Sequence, residues 1–122
     1  MLLLAFALLL TTALFGGVLA ALHLRTERRA PGPIYGAIHG LIGVAGVVAL
    51  LLALRAPPRG AAMGVGDFGR VAAALLAIAL ILAIPIVFVR LRHRRIPGLV
   101  IGAHAMIAVS GVVILAAYTL VG

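Results

Sequence analysis

Residues 1–24, 34–54, 68–89 and 99–121 form four apolar stretches, each of twenty or more residues. About 20 apolar residues in a helix cross a hydrocarbon layer of roughly 30 Å. Runs of this length exclude an ordinary soluble domain. With 66% hydrophobic residues and only 12 formally charged side chains (10 Lys+Arg, 2 Asp+Glu), too little polar material exists to coat a water-facing surface. The expected fold is therefore all-α: an integral membrane four-helix bundle in one transmembrane domain, residues 1–122. A net charge of +8 can signal nucleic acid, but here the arginines sit at the ends of the apolar runs. That placement points to lipid headgroups and membrane topology instead, and no nucleic-acid partner is expected.

The connections are short. Residues 25–33 and 90–98 are basic, whereas 55–67 is rich in Pro, Gly and Ala, with Pro57-Pro58 as a helix stop. Arg25, Arg28, Arg29, Arg90, Arg92, Arg94 and Arg95 lie in or beside the first and third loops, against Arg55, Arg59 and Arg70 on the other side. Positive-inside asymmetry places both basic loops in the cytoplasm and both termini on the outer side, and the arginine-only basic composition suggests a bacterial inner membrane. The first stretch lacks a basic n-region and its arginines follow it, so it reads as a retained helix rather than a secretory signal.

Residues 39–48 read His-Gly-Leu-Ile-Gly-Val-Ala-Gly-Val-Val and residues 104–113 read His-Ala-Met-Ile-Ala-Val-Ser-Gly-Val-Val, identical at six of ten positions with a constant offset of 65. The loops before them also match, Arg28-Arg29-Ala-Pro-Gly against Arg94-Arg95-Ile-Pro-Gly. The chain therefore reads as two duplicated helical hairpins, about 1–54 and 68–121, in parallel orientation, as in parallel-repeat membrane folds.

An ionisable side chain inside a membrane is costly and is a functional candidate by default. Two lie well inside, His39 and His104, each six or seven residues beyond a Pro-Gly loop end, or about 10 Å along a helix. Gly36, His39, Gly43 and Gly46 fall within an arc of roughly 80°, and His104, Ala108 and Gly111 form the matching stripe. Small residues beside a histidine leave a slot for a neighbouring helix or a flat macrocycle. The functional reading is a haem b held between the second and fourth helices, with His39 and His104 as its metal ligands. Gly36, Gly43, Gly46, Ala108 and Gly111 would give the porphyrin room, and Arg28, Arg29, Arg94 and Arg95 could meet the propionates. Two other readings stand beside it. Small-xxx-small spacing such as Gly36 to Gly40 is also a packing device, with the histidines hydrogen-bonding and no cofactor bound. A chlorophyll-type pigment ligated singly by each histidine fits the same pattern. A metal-transport site fits poorly, because no acidic residue or thiol lies nearby.

His23 and His93 belong at the interface and in the basic run, solvated or facing headgroups. Pro85 is expected to kink the third helix, Tyr35 and Tyr118 to sit near helix ends, and Asp67 and Arg70 to cap or pair at the start of that helix. Thr11, Thr12 and Ser110 can bond within their own helices. No nucleophile–base pair, carboxylate dyad or phosphate loop is present, so the chain is not expected to be an enzyme. The histidine motif and its echo resemble small bacterial four-helix membrane proteins of unassigned function. They resemble membrane b-type cytochromes more loosely, with one intramembrane pair in place of two. That resemblance implies an electron carrier or haem-bearing subunit. The rival expectation is a non-catalytic accessory subunit of a larger respiratory or photosynthetic complex; a small transporter would need oligomerisation.

Overall fold

The computed structural model describes residues 1–25 and 31–121. Four α-helices follow in chain order: α1 (Leu2–Arg25), α2 (Pro33–Ala53), α3 (Phe68–Leu91) and α4 (Gly98–Leu120). All four are long and apolar enough to cross a membrane, which makes this an all-helical, multi-pass membrane protein. Each boundary falls within two residues of the sequence expectation. In hydrocarbon every backbone polar group has to be satisfied within the protein, and a continuous helix does this with its own ladder.

The ends follow local chemistry. Pro33 opens α2, where a missing N–H costs nothing. The linker to α3 turns on two glycines in the left-handed region, Gly60 (φ 64°) and Gly64 (φ 75°), on either side of a 3-10 turn at Ala61–Met63. α3 continues through Pro85 to Leu91. It closes with His93 at φ 53°, whose N–H donates to the Arg90 carbonyl while that of Arg94 donates to Val89. This is a Schellman ending with histidine where glycine is usual. The expected aromatic position at Tyr118 turns out to face inward. The ring is buried against Gly69, and its hydroxyl accepts a 3.2 Å bond from the Arg59 backbone N–H. Asp67 pairs with Arg70 at 3.4 Å in an exposed position and makes no side-chain cap.

α1 packs against α2 and α4, and α3 against α4 and α2, so α2 and α4 stand on one diagonal of the bundle. Glycines set the approach within each hairpin. A Cβ at Gly46 would lie 2.7 Å from Leu9 Cγ and 3.3 Å from Leu8 Cβ; one at Gly111 would lie 2.8 Å from Leu76 Cγ and 3.3 Å from Leu75 Cβ. The core built there comprises Ala5, Leu9, Val47, Leu50, Ala72, Leu76, Val112, Leu115 and their neighbours. It occupies only the half of the bundle nearer the termini. On the helical segments 13–25, 33–42, 80–91 and 98–110, which make up the other half, no residue is buried.

Gly46→Ala and Gly111→Ala are expected to destabilise the bundle by about 1–3 kcal/mol through overpacking. Gly40→Ala, whose Cβ meets nothing within 4 Å, should be neutral or stabilising by up to about 1 kcal/mol from helix propensity. Detergent-titrated unfolding of the three variants checks the order.

Candidate functional site

His39 of α2 and His104 of α4 converge from the two ends of the diagonal. Their ring centroids are 6.3 Å apart and their planes are inclined at 75°. The pair sits in the half of the bundle that lacks a buried core, and both side chains are partly buried. The period that turns Gly43 and Gly46 of α2 toward α1 also directs His39 inward, and the same holds for His104 and Gly111 on α4.

The two imidazoles are held differently. Nδ1 of His104 lies 2.9 Å from the Ala79 carbonyl of α3. A carbonyl can only accept, so Nδ1 carries a proton, which leaves Nε2 as the ring nitrogen that would face a ligand. Anchoring one nitrogen on a backbone carbonyl orients the other in this way at metal-bound histidines generally. On His39, Nδ1 is buried and makes no hydrogen bond of good geometry among the described residues, although the Thr12 backbone of α1 is close enough to interact with the ring. Its ring lies on α1, with Phe15 edge-on at 6.3 Å and Gly16 directly beneath, where a Cβ would come within 2.6 Å of Cε1. An unsatisfied polar atom in such a place costs stability, and a ligand supplied from outside the chain would relieve that cost.

The remaining residues singled out from the sequence separate into groups. Gly36 has open space beside it: nothing lies within 4 Å of a Cβ there. A Cβ at Gly43 would lie 3.2 Å from Thr12 Cγ2 of α1, while Gly46 and Gly111 face leucines. The last two lie seven residues from their histidines, about 10 Å along the helix, so they serve helix packing in the core half. Ala108 is partly buried one turn from His104. His23 borders a cleft of about 330 Å³ with Arg95 and Gly98, and His93 is exposed at the end of α3. Arg28 and Arg29 lie outside the described residues. Arg90 bonds through its guanidinium to the Pro31 carbonyl, tying the first basic loop to the end of α3. Phe15, Gly16 and Ala79 belong to the histidine environment but were not singled out from the sequence. The Gly16-Gly17 pair, the only glycines in the apolar run of α1, was the one available signal.

Comparison with family models, with curated proteins and with solved structures finds no match to this chain.

Because His39 carries the unsatisfied nitrogen, His39→Leu is expected to stabilise the ligand-free protein by about 1–3 kcal/mol. His104→Leu should instead lose a hydrogen bond worth about 0.5–1.5 kcal/mol. Reversible unfolding in mixed micelles measures both, and the reverse order would contradict this account of the two rings.

Proposed function

We propose that this chain is a membrane-embedded haem b-binding electron-transfer protein or subunit, in which His39 and His104 would hold the iron. The observation that carries the reading is the meeting of two inward histidines, from diagonal helices, in the half of the bundle without a buried core. Several features fit the group. To hold one iron between them, two imidazoles would have to stand close together across the bundle. The observed separation is 6.3 Å. His104 offers an oriented Nε2, and His39 has an orphaned buried nitrogen. Among the described residues no group of three or more His, Cys, Asp or Glu stands together. Two imidazoles fall short of a zinc site but would suffice for iron already held in a porphyrin. Haem b supplies reversible one-electron chemistry; the chain would bind it, fix the two ring orientations and keep water away. Open space at Gly36 lies one turn from His39, and Arg94 and Arg95, at the same end of the bundle, suit the propionates.

We read the bundle as two duplicated hairpins. The matched contacts of Gly46 with Leu8 and Leu9, and of Gly111 with Leu75 and Leu76, support this alongside the sequence repeat. Arginine asymmetry supports cytoplasmic basic loops, outer termini and a bacterial inner membrane, which sets the histidine half toward the cytoplasm. Electrons would pass to or from other membrane subunits, and the chain itself would not be an enzyme. One observation favours the rival reading of an accessory subunit without a cofactor: Gly43, Gly46 and Gly111 are filled by side chains of α1 and α3.

An absorption spectrum of the purified protein, oxidised and then dithionite-reduced, separates these readings. Sharp reduced α and β bands, lost in His39→Ala and in His104→Ala, are the expected result. Full haem content in either variant would sink the proposal. Long-wavelength bands indifferent to dithionite would indicate a chlorophyll-type pigment, and no visible absorbance from native membranes would favour the accessory subunit.

A further inference from the structure

The imidazole of His39 rests on the backbone of α1, and Gly16 makes that possible. A Cβ at Gly16 would lie 2.6 Å from Cε1, 3.2 Å from Nδ1 and 3.4 Å from Nε2 of His39. The obstruction involves the tip of the His39 side chain, and the first distance is shorter than any relaxed carbon contact, so the imidazole would have to move. The ring is also constrained on its other sides. Phe15 stands edge-on at 6.3 Å, the backbone of Thr12, one turn away on α1, is in interaction range, and His104 stands 6.3 Å across the bundle. A methyl group at position 16 would therefore force the ring to shift from the position it holds beside His104. Gly17 provides the contrast. It neighbours Gly16 on the same helix, yet a Cβ there meets nothing within 4 Å.

We propose that Gly16 is the positioning residue of the histidine pair: its missing side chain is what lets His39 reach a ligand shared with His104. The proposal rests on the reading of the two histidines as haem ligands. It extends that reading to a residue on a third helix, which acts through His39. α1 then has a role beyond packing, since it supplies the floor on which one ligand is set, as the Ala79 carbonyl of α3 sets the other.

Two measurements on the full-length protein test this, with Gly17→Ala as the matched control. First, haem is titrated into wild type, Gly16→Ala and Gly17→Ala. Gly16→Ala is expected to lose the low-spin bis-imidazole spectrum and to bind haem about 10- to 100-fold more weakly, the usual cost of losing a group that orients a metal ligand. Gly17→Ala should match wild type in both respects. Second, a double-variant cycle on unfolding of the haem-free protein is run with Gly16→Ala and His39→Ala. Gly16→Ala should be destabilising when His39 is present and harmless when His39 is alanine, because removing the ring clears the space. The second arm also covers a Gly16→Ala protein that fails to fold, since the double variant must then fold. A low-spin spectrum retained by Gly16→Ala, or a double variant as unstable as the single one, overturns the positioning role. Wild type that takes up no haem, with full coupling in the cycle, removes the haem reading and the positioning role while leaving the steric contact in place.

Discussion

In a bilayer, apolar surface gains nothing by leaving lipid for protein, so helices hold together only where backbones approach closely or polar groups meet. The whole arrangement depends on that constraint. Close approach occurs where glycines face leucines of the partner helix, at Gly46 and Gly111, and the buried core forms around those contacts near the termini. The opposite half has no such core. Its polar meeting point is the pair of histidines, and one of its fastenings is the Arg90 bond to the Pro31 carbonyl.

This division of labour gives the histidine half a particular character. A tightly packed half fixes the register of the four helices and therefore the height of His39 and His104. The open half can then admit a guest without dismantling the core. One ring is already oriented by Ala79, and the other keeps a buried nitrogen unsatisfied. Groups held at a cost in stability are characteristic of functional sites. An ordinary packing histidine in lipid would be expected to close its hydrogen bonds within the bundle, as His104 does with one of its nitrogens.

Most of the fold was legible in the sequence, because run length alone identifies a membrane helix and Pro-Gly clusters identify its ends. The four spans fell within two residues of those described. The candidate histidines were legible for a related reason: an ionisable group is conspicuous in an apolar run. What the sequence did not reveal was the direction in which neighbouring helices face. The glycine stripe of α2 gave no indication that Gly36 opens on empty space while Gly46 receives Leu9. In α1, surrounded by leucine and alanine, Gly16 could not be told from Gly17, because the contact that separates them comes from another helix. Tyr118 was assigned to the interface by position, yet its ring packs inward on Gly69. His93, placed in the basic run, is exposed there and also closes α3 in a left-handed turn, a role set by local backbone geometry that periodicity does not carry.

The central claim is that His39 and His104 share one metal centre. Electron–nuclear double resonance on the oxidised protein, purified with 15N-labelled histidine, counts the imidazole nitrogens bound to the iron. The account predicts two strongly coupled histidine nitrogens per chain, with one of them absent in each single-histidine variant. A signal with no coupled histidine nitrogen, or one unaffected by replacing either residue, would contradict it.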